Sequence, residues 1–114
     1  MGRRVLVVDD DALILEVTAA MLNDLGCEVV TALCGEDALE RLKRDQGIEI
    51  LITDINMPNM DGYELVDRAR AIRAGLKVIM LSGRECGVNG LPFIRKPFFE
   101  QDLLETMRRT TGTC

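Results

Sequence analysis

Leu51-Ile52-Thr53-Asp54-Ile55-Asn56-Met57-Pro58-Asn59-Met60-Asp61-Gly62 is the stretch from which the rest of the chain is read. Its first residues, with Ile50 before them, are apolar or β-branched and predict the end of a buried strand. Asp54 falls where that strand must stop. Pro58 and Asp61-Gly62 then break the chain into a loop before the next helical pattern. A carboxylate at the carboxyl end of a buried strand stands where open α/β sheets bind their ligands. An isolated aspartate there is more commonly a turn residue, so the neighbouring segments decide.

Working outward, the segments alternate. Arg4 to Val8 is a short apolar run ending in Asp9-Asp10-Asp11, and it reads as a strand buried on both faces. Asp11 to Leu25 has helical spacing, with Ile14, Val17, Thr18, Met21, Leu22 and Leu25 inward and Gly26 as the stop. Cys27 to Ala32 is a second strand, and Gly35 to Arg44 a helix ending near Gly47. Ile48 to Thr53 is the third strand. Asp61 or Gly62 opens a helix with Leu65, Val66, Ala69 and Ile72 inward and Gly75 at its end. Lys77 to Leu81 is the fourth strand, Pro92 to Arg95 a short fifth, and Phe98 to Arg109 the last helix. Such alternation predicts one α/β domain over residues 1–114, a parallel sheet with helices on both faces. One connection is too short. Only the eight residues Gly83 to Gly90, three of them glycine, separate Ser82 from Leu91. A parallel crossover takes about a dozen or more, so the fourth helix is expected to be reduced or absent.

At 114 residues the chain can build a single core. Its net charge of −5 argues against nonspecific binding to nucleic acid or to an anionic membrane. No apolar run reaches the length of a membrane span, and the amino terminus enters a strand with no signal-peptide pattern. The four cysteines form no CxxC pair and there is no histidine, which leaves a zinc site too few ligands. Free thiols in a reducing cytoplasm are the reading. Without histidine the chain cannot form a phosphohistidine or use imidazole as a base. Any phosphoryl chemistry must run through carboxylate, hydroxyl, lysine or metal.

A parallel sheet would gather the strand ends at one edge: Asp9 and Asp10 from the first, Asp54 from the third, Ser82 from the fourth and Lys96 from the fifth. Carboxylates crowded in a partly buried pocket repel one another. A hard divalent cation with oxygen ligands relieves this, and Mg²⁺ suits few carboxylates plus waters and a phosphate. With Lys96 and Ser82 beside the carboxylates, the set is suited to phosphoryl transfer onto one carboxylate. Asp11 reads as a helix N-cap rather than a further ligand. Met57 and Met60 read as loop packing, and Gly62 either opens the helix or supplies an unusual dihedral.

The set Val7-Val8-Asp9-Asp10, then Asp54 with Met57-Pro58-x-Met60-Asp61-Gly62, then Ser82-Gly83, then Lys96-Pro97-Phe98 resembles the receiver domain of two-component response regulators. It covers about Arg4 to Met107. The resemblance implies a flavodoxin-like three-layer sandwich with a five-stranded parallel sheet of order 2-1-3-4-5. It implies that Asp54 accepts a phosphoryl group from a phosphohistidine on a sensor histidine kinase or a histidine phosphotransfer protein. Asp10 would bind Mg²⁺ directly, Asp9 through water, and Asn56 by its backbone carbonyl. Lys96 would bridge to the phosphoryl group, Ser82 would turn toward it, and Phe93 would be the aromatic switch that follows. Asn56 and Arg84 would set how long the acyl phosphate lasts. The partner would dock near the first helix and the loop after the fifth strand.

The shortened Gly83 to Gly90 segment, followed by Leu91-Pro92-Phe93 and Lys96-Pro97-Phe98, resembles receivers of hybrid sensor kinases. It leaves room for at most a weak homodimer. No output domain is legible, and the chain reads as a phosphoacceptor rather than an enzyme. Two other readings stand against this one. The first is a receiver-fold binding module that does not signal by phosphorylation. The second is a Mg²⁺-dependent phosphohydrolase with Asp9 as nucleophile.

Overall fold

The computed structural model describes residues 3–82 and 92–111. Five strands form one sheet: β1 (Arg4–Val8), β2 (Glu28–Ala32), β3 (Ile50–Asp54), β4 (Lys77–Ser82) and β5 (Phe93–Arg95). All neighbours are parallel, in the order β2-β1-β3-β4-β5. The helices are α1 (Ala12–Asp24), α2 (Gly35–Arg44), α3 (Gly62–Ile72) and α4 (Glu100–Thr111). The expected order and layering are observed. The segment expected to carry a reduced fourth helix, with Arg84 inside it, lies outside the described residues.

Strand alternation sends side chains to two separate cores. Val5, Val7, Ile50, Ile52, Ile79 and Leu81 pack with Leu15 and Leu22 of α1 and with Leu103 and Met107 of α4. Leu6, Val8, Leu51, Val78 and Met80 face Ala38 and Leu42 of α2 and Leu65, Val66 and Ala69 of α3. β3 is buried at every position, as expected of a central strand covered on both sides.

Local chemistry sets the helix ends. Asp11 caps α1, its carboxylate accepting from the N–H groups of Leu13 and Ile14. Gly26, at φ +88°, ends that helix in a Schellman pair. Its N–H reaches Asn23 O at 3.0 Å, and that of Cys27 reaches Leu22 O at 3.0 Å. Asp61 caps α3 through the Glu64 N–H. The Asp102 carboxylate reaches back to the Phe99 N–H at 2.8 Å, so α4 begins at Glu100 rather than at Phe98.

Some inward assignments shift. In α1 the buried residues are Leu15, Thr18 and Leu22, while Val17 is 46% exposed. That helix is apolar nearly all round, so periodicity alone did not fix its inner face. Ile72 is exposed at the end of α3. The cap there is Arg73, with Gly75 beyond it, and α2 likewise ends at Arg44 with Asp45 as cap, before Gly47.

Candidate functional site

Parallel pairing puts the carboxyl ends of β1, β3, β4 and β5 along one edge, where the residues singled out in the sequence end or follow the strands. Asp9 and Asp10 follow β1, Asp54 ends β3, Ser82 ends β4, and Lys96 follows β5. Asp9 and Asp54 are buried and Asp10 is exposed, and one carboxylate oxygen of each lies within 4.8 Å of the others. The Lys96 ammonium is 2.9 Å from Asp9 Oδ2 and 3.2 Å from Asp54 Oδ1. Asp9 is held from the other side by the Asp11 N–H, which donates to its Oδ1 at 2.9 Å. The Lys96 backbone N–H donates to Ser82 O at 2.6 Å, tying the two strand ends together.

Burial pushes the Asp54 carboxyl above its ordinary range; the Lys96 charge opposes this, and the charges of Asp9 and Asp10 add to it. Burial alone would lower the Lys96 ammonium. The hydrogen bond it donates to Asp9 and the charges of Asp9 and Asp54 outweigh burial and hold it above its usual value. Three carboxylates facing one ammonium leave an excess of negative charge in an all-oxygen donor set, which could hold a metal ion.

The structure therefore brings together Asp9, Asp10, Asp54 and Lys96, with Ser82 fully buried on the adjoining strand end. Asn56 lies two residues past Asp54 in the exposed part of the loop. Phe93 is half-buried against the α2/α3 core and paired in register with Met80. Met57 and Met60 are buried loop packing. Gly62 opens α3 with no left-handed φ, so the unusual dihedral is not its reason.

A groove beside the site has no outline in the sequence. Leu13, Ile14, Val17, Thr18 and Met21 of α1 face Pro97 and Phe98 across about 360 Å³, and Lys96 lines both groove and site. Leu13 is 71% exposed. An α1 with too many apolar residues for one buried stripe was the available signal.

A family model described as the response regulator receiver domain matches residues 5–108. The chain belongs to this family. Among curated relatives, this receiver is 33% identical to a chemotaxis protein CheY homolog of Campylobacter jejuni, over 96% of the chain and 93% of that protein. It is 42% identical to the two-component response regulator ARR11 of Arabidopsis thaliana over 72% of the chain. It is 44% identical to the sensor histidine kinase RcsC of Escherichia coli over 66% of the chain. The chain spans only 16% of ARR11 and 8% of RcsC. Among solved structures, the Vibrio cholerae chemotaxis protein CheY4 superposes with TM-score 0.88 at 30% identity, covering 96% of this chain and 99% of that one. The receiver of sensor histidine kinase PA1611 from Pseudomonas aeruginosa has TM-score 0.86 at 25% identity, with 99% and 100% covered. That structure has a magnesium ion coordinated in its active site cleft. The receiver is thus a signalling domain of two-component systems. Among the described residues no helix is long and apolar enough to cross a membrane.

Proposed function

We propose that this receiver accepts a phosphoryl group on Asp54 from a phosphohistidine of a sensor histidine kinase or histidine phosphotransfer protein. The observation that carries the reading is a buried Asp54 carboxylate held at 3.2 Å from the Lys96 ammonium, with Asp9 and Asp10 beside it. Asp9, Asp10, Asp54 and the backbone carbonyl of Asn56 would hold Mg²⁺. The PA1611 receiver's magnesium supports that choice of ion. When bound, the ion would neutralise charge on the phosphoryl oxygens.

An Asp54 carboxylate oxygen forms the new bond to phosphorus as the bond from phosphorus to the imidazole nitrogen breaks. The Lys96 ammonium and the Ser82 hydroxyl neutralise the phosphoryl oxygens as charge shifts. Asp11 keeps the Asp9 carboxylate turned into the site. The added charge then biases a two-state equilibrium through Ser82 and Phe93 that a partner reads. The chain has no histidine, so the donor comes from another protein or domain. The apolar groove between α1 and Pro97-Phe98 shares Lys96 with the site and is the surface on which that donor docks. The chain turns over nothing but its own acyl phosphate, in the cytoplasm.

Intact-protein mass after incubation with Mg²⁺ and acetyl phosphate tests this. The wild type gains one phosphate, and Asp54→Asn or chelation abolishes the gain. A wild type that stays unlabelled, with acetyl phosphate and with a histidine-phosphorylated donor alike, overturns the reading.

A further inference from the structure

Asp54 is the last residue of β3, so its carboxylate goes wherever the Asp54–Ile55 peptide puts it. That peptide is gripped by groups that take no part in the chemistry described above. Thr53 is fully buried, and its hydroxyl donates to Asp54 O at 3.0 Å. Valine has the same shape and suits a buried strand as well, so shape does not account for the hydroxyl. On the other side, a Cβ added at Gly62 would lie 2.5 Å from Asp54 O and 2.9 Å from Ile55 Cα. Both are backbone atoms, with no rotamer to escape into. The Gly62 N–H donates to Ile55 O at 2.8 Å, and the Ile55 N–H to Leu81 O at 3.1 Å.

Gly62 has no left-handed φ and needs no glycine on conformational grounds. What requires glycine is the approach of the α3 amino terminus to the Asp54 backbone. Gly35 shows the difference. A Cβ there would meet the Met60 side chain, with the sulfur at 2.6 Å, and a thioether can rotate away.

We propose that Thr53 and Gly62 are positioning residues that clamp the Asp54–Ile55 peptide and so fix the Asp54 carboxylate and the backbone leading to Asn56. The proposal rests on Asp54 being the phosphoryl acceptor. Supporting groups around a metal or reacting carboxylate typically alter affinity or rate by about 10–100-fold when removed, and small misplacements of a reacting atom are comparably costly.

The test compares Thr53→Val, Gly62→Ala and Gly35→Ala with the wild type. Mg²⁺ titration is followed by backbone amide NMR, acetyl phosphate labelling is measured at saturating Mg²⁺, and stability is measured separately by urea unfolding. Thr53→Val and Gly62→Ala are expected to shift the Asp54 and Ile55 amide resonances before any metal is added. Both are expected to weaken Mg²⁺ binding and slow labelling by about tenfold or more. Gly35→Ala makes neither change, because the Met60 side chain can move aside. Folded Thr53→Val or Gly62→Ala with wild-type Mg²⁺ affinity and wild-type labelling overturns the clamp. Should Gly62→Ala not fold, Thr53→Val decides alone. A wild type that binds Mg²⁺ but takes no phosphate sinks the acceptor reading instead, while the Mg²⁺ titrations still judge the clamp.

Discussion

The two ends of the sheet handle charge in opposite ways. At the amino end, Arg3 meets Glu49 at 3.1 Å, and Arg4 meets Glu28 at 3.0 Å and Asp45 at 2.7 Å. Arg73 closes the same region by donating to the carbonyls of Leu42, Asp45 and Ile48. Cations and anions are matched there, mostly in contact with solvent. At the carboxyl end, Lys96 faces buried Asp9 and Asp54, with Asp10 beside them. Nothing in folding requires that excess of negative charge; it is what phosphoryl and metal chemistry require. One end fastens the fold, and the other keeps a field that opposes it.

The largest stability effect is expected at Arg73. Replacing it with methionine keeps the apolar stem but removes the donor to three carbonyls where α2 leads into β3. A hydrogen bond involving a charged group contributes roughly 1.5–3 kcal/mol net, and at half-buried Arg73 water can take over part of the three bonds. Arg73→Met should therefore lower the urea-unfolding free energy by about 2–3 kcal/mol, with Mg²⁺ binding and phosphate labelling per folded molecule unchanged. Slower labelling of the folded variant would break the separation of the two ends.

The carboxyl end was far more legible in the sequence than the amino end. Asp9, Asp10, Asp54 and Lys96 each follow or end a short apolar run, and parallel pairing leaves them no other edge. Arg73 carried no such signal, because its partners are backbone carbonyls more than two dozen residues earlier. The inner face of α1 is illegible for a different reason: Leu13, Ile14, Leu15 and Val17 offer overlapping apolar stripes, and only packing chooses Leu15. Gly62 was seen to matter, but the close approach to Asp54 that explains it joins positions eight apart through a loop whose path the sequence does not state.

Asp54→Asn sharpens the contrast from the other side. With Mg²⁺ chelated, the ionised Asp54 weakens the fold, because burial raises its carboxyl above the value it has in the unfolded chain. Above the raised value that cost is present in full. As pH falls through the raised value toward about 3.9, the folded protein takes up its proton first and the cost disappears. Asn carries no such charge, and Lys96 keeps Asp9 as a partner. The variant should be more stable than the wild type by on the order of 1 kcal/mol at pH 7, the advantage shrinking in acid. Equal melting temperatures at pH 7 in chelator would mean that the site imposes no strain on the fold.

Asp45→Asn should give the smallest effect and the opposite slope. The hydrogen bond from Arg4 holds the Asp45 carboxyl below its usual range, against a smaller opposing effect of burial, and the Gly47 N–H assists. A depressed carboxyl stabilises the fold above its unfolded value of about 3.9 and loses that contribution as pH falls through the folded value. Both partners keep partial contact with solvent, so Asp45→Asn should lower the melting temperature only slightly at pH 7 and low salt, and less still in high salt. In acid its deficit closes, just as the Asp54→Asn advantage does, so the two variants approach the wild type from opposite sides. If Asp45→Asn matches the wild type even at low salt, the exposed ion pairs contribute nothing, and the fastening of the amino end rests on Arg73 and its three carbonyls.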